Sequence, residues 1–419
     1  MASSLLPSPS SMLPRSLANF LSLALASYIP PSLEPSALQT PVYHQVTDEL
    51  QDYLDCHGKY WWRASALMLA ALLHDAGYST SSQYRILTFF GRTILPYMGP
   101  TFNPRAPQWH SFMTDDHHPI ELSWDWHTGH TPPTVRFSIE PVGLYAGTPL
   151  DKDNEHADAA FRKALLRALL DTSMEWFYYL DRELTPTNPQ HQGQGPREGH
   201  PSKIFYAFDL AAESITAKAY FFPGFKARET NRTNLQVIAD VITRAPHCSP
   251  EQLNALRVFE DFADDINTSP LEMDMLAIDM DPPERSSRLK IYFRNRTTSF
   301  ASVRQIMTLG QRVTHPGMGR GLSSLRRLWD AILGQGDVPD GEPLAAAKET
   351  NDHRTAGLLY NVELRSRSSE PKVKLYIPVR HYALSDNRVI SAVHEYMKSV
   401  RGNENGLDYG YADTMQRFL

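Results

Sequence analysis

Segments in which hydrophobic and polar residues alternate, the pattern of half-buried β-strands, occur in four pairs along the chain. Short turns join the two segments of each pair, and strands joined in this way are antiparallel. The pairs begin about 70 to 85 residues apart, which predicts a fold of repeated strand–strand–helix–helix units. The predicted strand pairs are 120–126 with 134–140, 203–210 with 214–222, 272–279 with 288–293, and 357–365 with 372–378.

Hydrophobic positions with helical spacing fill the intervals between these pairs. We therefore predict the fold class α/β (α+β): an antiparallel β-barrel surrounded by helices, in a single domain over residues 43–419. Residues 1–42 contain seven prolines, and we expect this segment to be loose. Its mostly apolar stretch, 17–29, fits either a signal-peptide core or an amphipathic helix that ends at the following prolines. The predicted helices are 61–73, 84–94, 157–180, 234–244, 250–263, 299–309 and 322–333.

The composition excludes several classes of protein. With 42% hydrophobic residues among 419, the chain can bury a sizeable core and is not disordered overall. A net charge of −6 argues against a nucleic-acid partner, since nucleic-acid-binding domains are usually strongly basic. Two cysteines are too few for a disulfide framework or a zinc site, and they favour a reducing, cytoplasmic location. No apolar run reaches the roughly 18 residues that span a membrane, so we expect no membrane partner.

Basic and hydroxyl residues recur at one place in the predicted repeat. The second strand of each pair carries a basic residue, one spacer and then a hydroxyl residue. Side chains alternate faces along a strand, so the two residues of each instance share a face. Arg288 extends the third instance on that same face. The four instances are Arg136 with Ser138, Lys218 with Tyr220, Lys290 with Tyr292, and Lys374 with Tyr376.

If the strands lie side by side in a barrel, five cations and three tyrosines point inward. Burying unpaired cations is costly, and pyrophosphate would offset that cost through strong hydrogen bonds. Aromatic faces stabilise a carbocation by cation–π attraction. The combination indicates a site where an allylic diphosphate ionises. The alternative is that the basic residues lie on edge strands and face water, with the tyrosines packed underneath.

Glu121 lies at the start of the first predicted strand and shares a face with Ser123 and Asp125. A carboxylate inside a barrel can accept a hydrogen bond from an aromatic N–H and so raise the nucleophilicity of the ring. The alternative interpretation is an ordinary solvated carboxylate on a strand. The sequence therefore predicts Glu121 as the catalytic residue, provided that the barrel forms.

An acidic run, Glu260-Asp261-Phe262-Ala263-Asp264-Asp265, resembles the aspartate-rich Mg²⁺ motif of trans-prenyl synthases. Those enzymes need two such clusters that face each other in an all-helical fold. Strands are abundant here, and the second cluster, at 115–116, is weak. We interpret the run as a solvated helix face, with a metal-dependent helical synthase as the third functional alternative.

Five segments, in order and spacing, resemble the fungal aromatic (indole) prenyltransferases of the dimethylallyltryptophan synthase family. The resemblance runs from about residue 50 to the end of the sequence. The segments are 61–100, PIELSWDW at 119–126, KAYFFPGFKA at 218–227, RLKIYF at 288–293 and KLYIPVRHY at 374–382.

This resemblance implies a ten-stranded barrel, the ABBA prenyltransferase barrel, with the active site at its centre and a role in indole alkaloid biosynthesis. It implies a Friedel–Crafts alkylation without metal or other cofactor: dimethylallyl diphosphate ionises, and an indole-type acceptor attacks the allyl cation. The implied acceptor is tryptophan, a tryptophan-containing cyclic dipeptide or a related alkaloid. Glu121 matches the acidic residue that binds the indole N–H, and Lys203 is a candidate proton acceptor. The diphosphate-binding positions match Arg136, Lys218, Arg288, Lys290 and Lys374, and the tyrosine shield matches Tyr220, Tyr292 and Tyr376.

The sequence departs from the family at one point. In the family another strand pair follows the last helix, whereas here we interpret the final segment, 408–419, as that helix. We therefore predict a barrel that lacks the last strand pair and is either open at one seam or closed by another element. Because an open seam admits water, which can quench a carbocation, the second functional alternative is a non-catalytic protein that binds a prenyl diphosphate or similar anion. The only protein partner that we predict is a second copy of the chain, in a homodimer.

Overall fold

Ten antiparallel strands form one sheet, in which each strand pairs with its neighbours in the sequence. This computed structural model describes residues 17–18, 22–26, 40–126, 132–186, 200–282, 288–345, 355–401 and 410–418, with only the backbone for 17–18, 22–26 and 400–401. The strands are β1 (Leu17–Ala18), β2 (Ser22–Ala26), β3 (Ile120–Asp125), β4 (Thr134–Ile139), β5 (Ile204–Leu210), β6 (Ile215–Phe221), β7 (Leu271–Asp279), β8 (Arg288–Asn295), β9 (Leu358–Arg365) and β10 (Ser368–Tyr376).

The first strand pair comes from the N-terminal segment. β1 and β2 form a hairpin, and β2 pairs with β3 so that Ala26 lies opposite Glu121. The helical interpretation of 17–29 is therefore wrong. The sequence of β2, Ser-Leu-Ala-Leu-Ala, alternates large and small residues with the period of a strand, not of a helix. The rest of 1–39 lies outside the described residues, and its looseness stays a prediction.

The hairpin lies at the edge of the sheet where the barrel was expected to be open. Beyond β10 the described residues form helices, so no strand pair follows it in that part of the chain. β1 lies beside the short helix Val379–Tyr382, which follows β10, so the two edges of the curled sheet approach each other. Within the described residues, no ladder of hydrogen bonds joins β10 to β1. The N-terminal hairpin thus narrows the predicted seam without closing it by strand pairing.

The two faces of the sheet differ in polarity. On β4, Val135, Phe137 and Ile139 are fully buried, while Arg136 and Ser138 between them are partly accessible. The buried face packs against the surrounding helical layer. The hydrophobic core therefore lies between the sheet and the helices, and the polar inner face of the sheet surrounds a cavity.

Fourteen α-helices in the described residues pack around the sheet or beyond its edges. Two of them begin with a capping box, in which Thr233 pairs with Gln236 and Ser249 pairs with Gln252. The helices are α1 (Pro41–Leu50), α2 (Cys56–Trp61), α3 (Leu67–Asp75), α4 (Thr80–Phe89), α5 (Ala157–Ala168), α6 (Glu175–Leu184), α7 (Gly224–Thr230), α8 (Asn234–Thr243), α9 (Pro250–Ala263), α10 (Phe300–Met307), α11 (Met318–Leu333), α12 (Val379–Tyr382), α13 (Asp386–Arg401) and α14 (Tyr411–Arg417). None of the described helices is both long and apolar enough to cross a membrane.

The four predicted strand pairs are confirmed, and the largest error is at β10, which begins four residues earlier than predicted. The single helix predicted over 157–180 is wrong, because the chain leaves the helix between α5 and α6. The interruption contains Asp171-Thr172-Ser173, whose side chains compete for backbone hydrogen bonds. There the N–H of Ser173 donates to the carbonyl of Met280 instead of continuing the helix.

Candidate active site

The inner face of the sheet encloses a cavity of about 670 Å³, and every strand from β3 to β10 contributes side chains to its wall. All nine residues predicted for the site lie on this wall. The edge-strand alternative is therefore wrong for the basic residues of β4, β6 and β8, which have a paired strand on both sides. Lys374 does lie on an edge strand, β10, but its side chain lines the cavity. The nine residues are Glu121, Arg136, Lys218, Tyr220, Arg288, Lys290, Tyr292, Lys374 and Tyr376.

The strand register sorts the wall into three layers. Along β8 the cavity-lining side chains follow the order Arg288, Lys290, Tyr292, Arg294. β6 and β10 repeat this order of a basic residue first and a tyrosine next, and Glu121 lies at the end of β3 opposite to Asp125. We call the first layer the basic end, the second the tyrosine layer, and the third the Glu121 end.

At the basic end, carboxylates lie between the cations. Asp209 forms ion pairs with Arg136, at 2.8 Å from Nε, and with Lys218, at 2.5 Å from Nζ. Asp125 also pairs with Arg136, at 2.8 Å, and Asp279 accepts a hydrogen bond of 2.5 Å from Nε of Arg288. These partners offset the cost of enclosing the cations when no anion is bound.

The pKa values at the basic end follow from burial and crowding. Burial lowers the pKa of Lys290 to about 8, with repulsion from Lys218 adding to the effect. Burial likewise lowers the pKa of Lys374 to about 8. Burial alone would raise the pKa of Asp209, but the attraction of Lys218 and Arg136 outweighs it and the pKa is lowered. The lowered pKa keeps Asp209 ionised. The two lysines, with pKa values of about 8, hold their protons less firmly than an exposed lysine, so a bound anion would stabilise their charged form.

The tyrosine layer is continuous across the cavity. The ring centroids of Tyr220 and Tyr292 are 5.7 Å apart, and those of Tyr292 and Tyr376 are 5.8 Å apart. Asn361 donates a hydrogen bond of 2.5 Å to the hydroxyl of Tyr376, and Nζ of Lys374 lies 5.6 Å from the centroid of the same ring. Burial raises the pKa of all three tyrosines, so the phenols stay neutral and present electron-rich faces.

Glu121 faces the opposite end of the cavity. Its neighbour across the strand pair is Ser138, and among the described residues its carboxyl group has no hydrogen-bond donor or cation as a partner. Burial, with a smaller contribution from the negative charge of Asp115, raises the pKa of Glu121 to about 8. A carboxyl group without a partner inside a cavity is ready to accept a hydrogen bond from a ligand.

Two further ion pairs lie on the wall of the Glu121 end. Nε of Arg380, in α12, is 3.2 Å from Oδ2 of Asp115. Arg294 on β8 lies 3.6 Å from Asp274 on β7 and donates a hydrogen bond of 2.8 Å to the carbonyl of Thr355. Asp115 and Arg380 were not predicted from the sequence, because α12 and the loop that carries Asp115 belong to no repeat. Arg294 and Asp274 were missed although they lie on β8 and β7, and Arg294 continues the alternation of Arg288, Lys290 and Tyr292.

The carboxylates at the basic end were also missed, although the sequence carried a signal for them. Each occurs near the end of the first strand of its pair, so the repeat places an acid on one strand and a base on the next. The four are Asp125, Asp209, Asp279 and Glu363.

Two other predicted features lie away from the cavity. Lys203, the candidate proton acceptor, pairs with Glu155 at 3.7 Å and is largely exposed, so the structure does not bring it to the site. The acidic run 260–265 ends α9, where Asp261 and Asp264 are exposed and Asp265 pairs with Arg312. Its interpretation as a solvated helix face is confirmed.

Comparison with known proteins agrees with this geometry. Residues 57–411 match the family model for tryptophan dimethylallyltransferase. The chain is 35% identical over 365 residues to 4-O-dimethylallyl-L-tyrosine synthase of Claviceps purpurea (strain 20.1), covering 84% of this chain and 79% of that protein. It is 30% identical over 366 residues to 7-dimethylallyltryptophan synthase hasE of Aspergillus fumigatus (strain CBS 144.89 / FGSC A1163 / CEA10), covering 84% of this chain and 76% of that protein.

The fold is also shared with solved structures. AnaPT from Neosartorya fischeri superimposes with a TM-score of 0.74 at 26% sequence identity, over 90% of this chain and 88% of that one. NotF prenyltransferase superimposes with a TM-score of 0.73 at 22% identity, over 90% of each chain. Both the family match and the relatives cover most of the sequence, and the chain therefore belongs to the tryptophan dimethylallyltransferase family.

Proposed function

We propose that this protein is an aromatic prenyltransferase that moves a dimethylallyl group from dimethylallyl diphosphate to an aromatic acceptor. The observation that carries the proposal is the order of layers in one cavity: cations, then tyrosine faces, then an unpartnered carboxyl group. This order matches the three parts of the reaction, which are a diphosphate leaving group, an allyl cation and a nucleophilic ring.

The basic end binds the diphosphate. Arg136, Lys218, Arg288, Lys290 and Lys374 donate hydrogen bonds to its oxygens, and their charge stabilises the diphosphate as the bond from carbon to oxygen breaks. Both electrons of that bond leave with the diphosphate, and the allyl cation remains beside the tyrosine layer. The faces of Tyr220, Tyr292 and Tyr376 stabilise the cation and keep water from it.

Glu121 acts on the acceptor. When ionised, it accepts a hydrogen bond from the N–H or O–H of the ring and raises the electron density at the attacking atom. An indole is the acceptor expected from the sequence, and a phenol fits the same geometry, since the relative from Claviceps purpurea is named for tyrosine. If nitrogen or oxygen is the attacking atom, its proton passes to Glu121. If carbon attacks, the proton on that ring carbon passes to the released diphosphate, and aromaticity is restored.

The alternative of a non-catalytic anion-binding protein loses its support. It depended on a missing strand pair, and β1 with β2 now extends the sheet to ten strands. The relatives are named as synthases and transferases, which favours an enzyme. The third alternative, a helical metal-dependent synthase, is incompatible with a ten-stranded sheet.

We further propose that no metal ion takes part, because side-chain cations already occupy the positions around the diphosphate. The scarcity of cysteine supports a cytoplasmic location, and a homodimer stays a prediction that size-exclusion chromatography with light scattering can test.

The proposal is tested by incubating the protein with dimethylallyl diphosphate, EDTA and a panel of indoles and phenols that includes tryptophan, tyrosine and a tryptophan-containing cyclic dipeptide. Mass spectrometry should detect a product one dimethylallyl group heavier. Glu121→Gln should lower turnover about 100-fold or more while a thiolodiphosphate analogue of the donor still binds in calorimetry. Absence of product across the panel would refute the proposed function, and equal loss of donor binding in Glu121→Gln would refute the role of Glu121.

A further inference from the structure

The cations at the basic end differ in how much of each side chain is exposed. The exposed fraction falls from 46% at Arg365 to 12% at Lys290 and 8% at Lys218. Lys372 on β10 is exposed as well. Arg365 is the last residue of β9 and Lys372 lies in the first half of β10, so these two exposed cations lie at the rim of the cavity.

Arg365 and Lys372 belong to neighbouring strands and line the same cavity. In the register of β9 and β10, Lys372 lies opposite Glu363, and Glu363 shares its face of β9 with Arg365 two residues further on. The two cations are therefore diagonal neighbours, close enough for their long side chains to act on one ligand. We call Arg365 and Lys372 the outer pair.

The outer pair is only partly neutralised. Glu363 accepts a hydrogen bond from Nε of Arg365. Among the described residues, the two terminal nitrogens of Arg365 and the Nζ of Lys372 have no hydrogen-bond or ion-pair partner. Burial alone would raise the pKa of Glu363, but the attraction of Lys290 and the hydrogen bond from Arg365 outweigh it, and the pKa is lowered. Glu363 is thus ionised, and this one carboxylate lies beside two exposed cations.

The hairpin that carries the outer pair is fixed to the helical layer. Oγ of Ser249, the N-cap residue of α9, donates a hydrogen bond of 2.8 Å to the carbonyl of Ser366 in the turn between β9 and β10. Nδ2 of Asn254 donates a hydrogen bond of 3.4 Å to the carbonyl of Ser369. An arriving ligand therefore meets the two cations on an anchored element and does not have to order a loop.

Exposed cations at a rim contribute to binding in a different way from enclosed cations. Hydration and salt weaken their contacts, so the outer pair adds little to the affinity for a diphosphate that lies deeper, among Lys218, Arg288 and Lys290. Its charge extends into the solvent, over about 8 Å at physiological ionic strength, and speeds the encounter with a multiply charged anion. The enclosed cations attract less at this range, because carboxylates such as Asp209 and Asp279 lie beside them.

From this outer pair at the rim of the basic end, and resting on the proposed function, we infer that Arg365 and Lys372 form a capture site for the diphosphate group of the incoming donor. The diphosphate meets the outer pair first and then passes to the enclosed cations, which hold it during the reaction. The outer pair therefore sets how fast the donor associates, and the enclosed cations set how fast it dissociates.

The test measures the association and dissociation rate constants of dimethylallyl thiolodiphosphate by stopped-flow fluorescence, with Trp126 on the cavity wall as a reporter. The wild-type protein is compared with Arg365→Met/Lys372→Met at low and high ionic strength. Arg367→Met is the matched control, because Arg367 is an exposed cation in the same turn and is not among the described residues that line the cavity. Lys290→Met represents the loss of an enclosed cation.

We expect the association rate constant of the double variant to fall roughly 5- to 20-fold at an ionic strength of about 20 mM. At about 0.5 M, where the screening length is roughly 4 Å, the difference should shrink to less than about twofold. The dissociation rate constant should change less than about twofold, whereas Lys290→Met should mainly raise it. Arg367→Met should alter neither rate constant. Dimethylallyl thiomonophosphate carries fewer charges, so its association should slow less in the double variant.

An unchanged association rate in the double variant would overturn the inference. An equal fall in Arg367→Met would overturn it as well, because it would indicate an effect of net charge alone. A rise in dissociation as large as that of Lys290→Met would place the outer pair in the bound complex and would also refute a capture role. None of these measurements needs turnover: if the analogue binds and no acceptor is prenylated, the proposed function fails and the association rates still decide the inference.

Discussion

The two ends of the cavity are built from the same unit, a basic side chain beside a carboxylate. They differ in how many basic and acidic side chains they contain. Among the described residues, the basic end has seven basic and four acidic side chains, whereas the Glu121 end has two of each in addition to Glu121 itself. The members on the cavity wall at the basic end are Arg136, Lys218, Arg288, Lys290, Arg365, Lys372 and Lys374, with Asp125, Asp209 and Glu363. The fourth carboxylate, Asp279, forms an ion pair with Arg288.

This difference shows that charge balance, more than the number of charges, sets what each end can bind. The excess of cations at the basic end favours a multiply charged anion. The carboxylates between the cations reduce the electrostatic repulsion among them when no anion is bound. At the Glu121 end the two ion pairs cancel, so this end has no excess of cations and does not favour a multiply charged anion. The tyrosine layer lies between the two ends.

Removing cations from the basic end should have the largest effect. In the double variant Arg288→Met/Lys290→Met, two charged hydrogen-bond donors to the diphosphate are lost, and each is worth roughly 1.5–3 kcal/mol. We expect kcat/KM for the donor to fall roughly 10²- to 10⁴-fold, while calorimetry shows unchanged acceptor binding. Arg244→Met, which breaks an exposed pair with Asp240, is the matched control and should change neither quantity. A loss of acceptor affinity as large as that of donor affinity would contradict the separation of the two ends.

Changes in the tyrosine layer should have the second-largest effect on the reaction. Tyr292→Leu removes the central aromatic face, and a desolvated cation–π contact is worth about 2 kcal/mol, so kcat should fall roughly 30-fold. Tyr292→Phe keeps the face and loses the hydrogen bonds of the hydroxyl with Tyr376, at 3.4 Å, and with Tyr220 and Asn361, so it should lower kcat less than Tyr292→Leu does. Single-turnover kinetics with saturating substrates measure this step. Similar losses in both variants would mean that the hydroxyl, and not the ring, matters.

The basic end and the tyrosine layer could be predicted from the sequence because both are periodic. A strand alternates its side chains strictly, and the same basic and hydroxyl residues recur in four strand pairs, so residues such as Lys218 and Tyr376 could be assigned to one interior. The acids at the basic end follow the same rule on the first strand of each pair, and could have been found in the same way.

The Glu121 end could be predicted only in part, because the Asp115–Arg380 pair lies outside the repeat. Asp115 comes from a loop and Arg380 from a four-residue helix, and nothing local in their sequences indicates that long-range folding brings them together. The edge hairpin was missed for a different reason: β2 has the right alternation, but it lies in a proline-rich segment far from its partner strand.

The two ends should affect the pH dependence of kcat/KM in opposite directions. Glu121, with a pKa of about 8, becomes an acceptor only when ionised, so kcat/KM should rise up to about tenfold per pH unit below pH 8. Lys290 and Lys374, also with pKa values of about 8, lose their charge above that pH, so donor binding should weaken there. The result is a maximum near pH 8. Glu121→Gln should abolish the acidic limb, and Lys290→Arg should move the alkaline limb to higher pH. A profile that neither variant alters would contradict both assignments.

The smallest effect concerns the loop beneath the Glu121 end. Glu140, which is fully buried, accepts a hydrogen bond of 2.8 Å from Ser202, whose oxygen also accepts the backbone N–H of Phe112 on the cavity wall. Burial raises the pKa of Glu140 to about 7, against the hydrogen bonds from Ser111, Ser202 and Trp109. Because the pKa in the folded state exceeds that of the unfolded chain, the stability that depends on neutral Glu140 is full below about pH 4.5 and is lost as the pH rises through 7.

Between pH 6 and 8 the Tm of the wild type should therefore fall by about 2 °C more than that of Glu140→Gln, since the amide cannot ionise. The acceptor KM of the wild type should rise a few-fold over the same range, and the donor KM should not, because Ser202 and Phe112 connect Glu140 to the Glu121 end alone. Glu251→Gln, at an exposed carboxylate in α9, controls for the loss of a charge. Parallel changes in both KM values would mean that Glu140 stabilises the whole barrel. The two ends would then share one structural support, although they differ in charge.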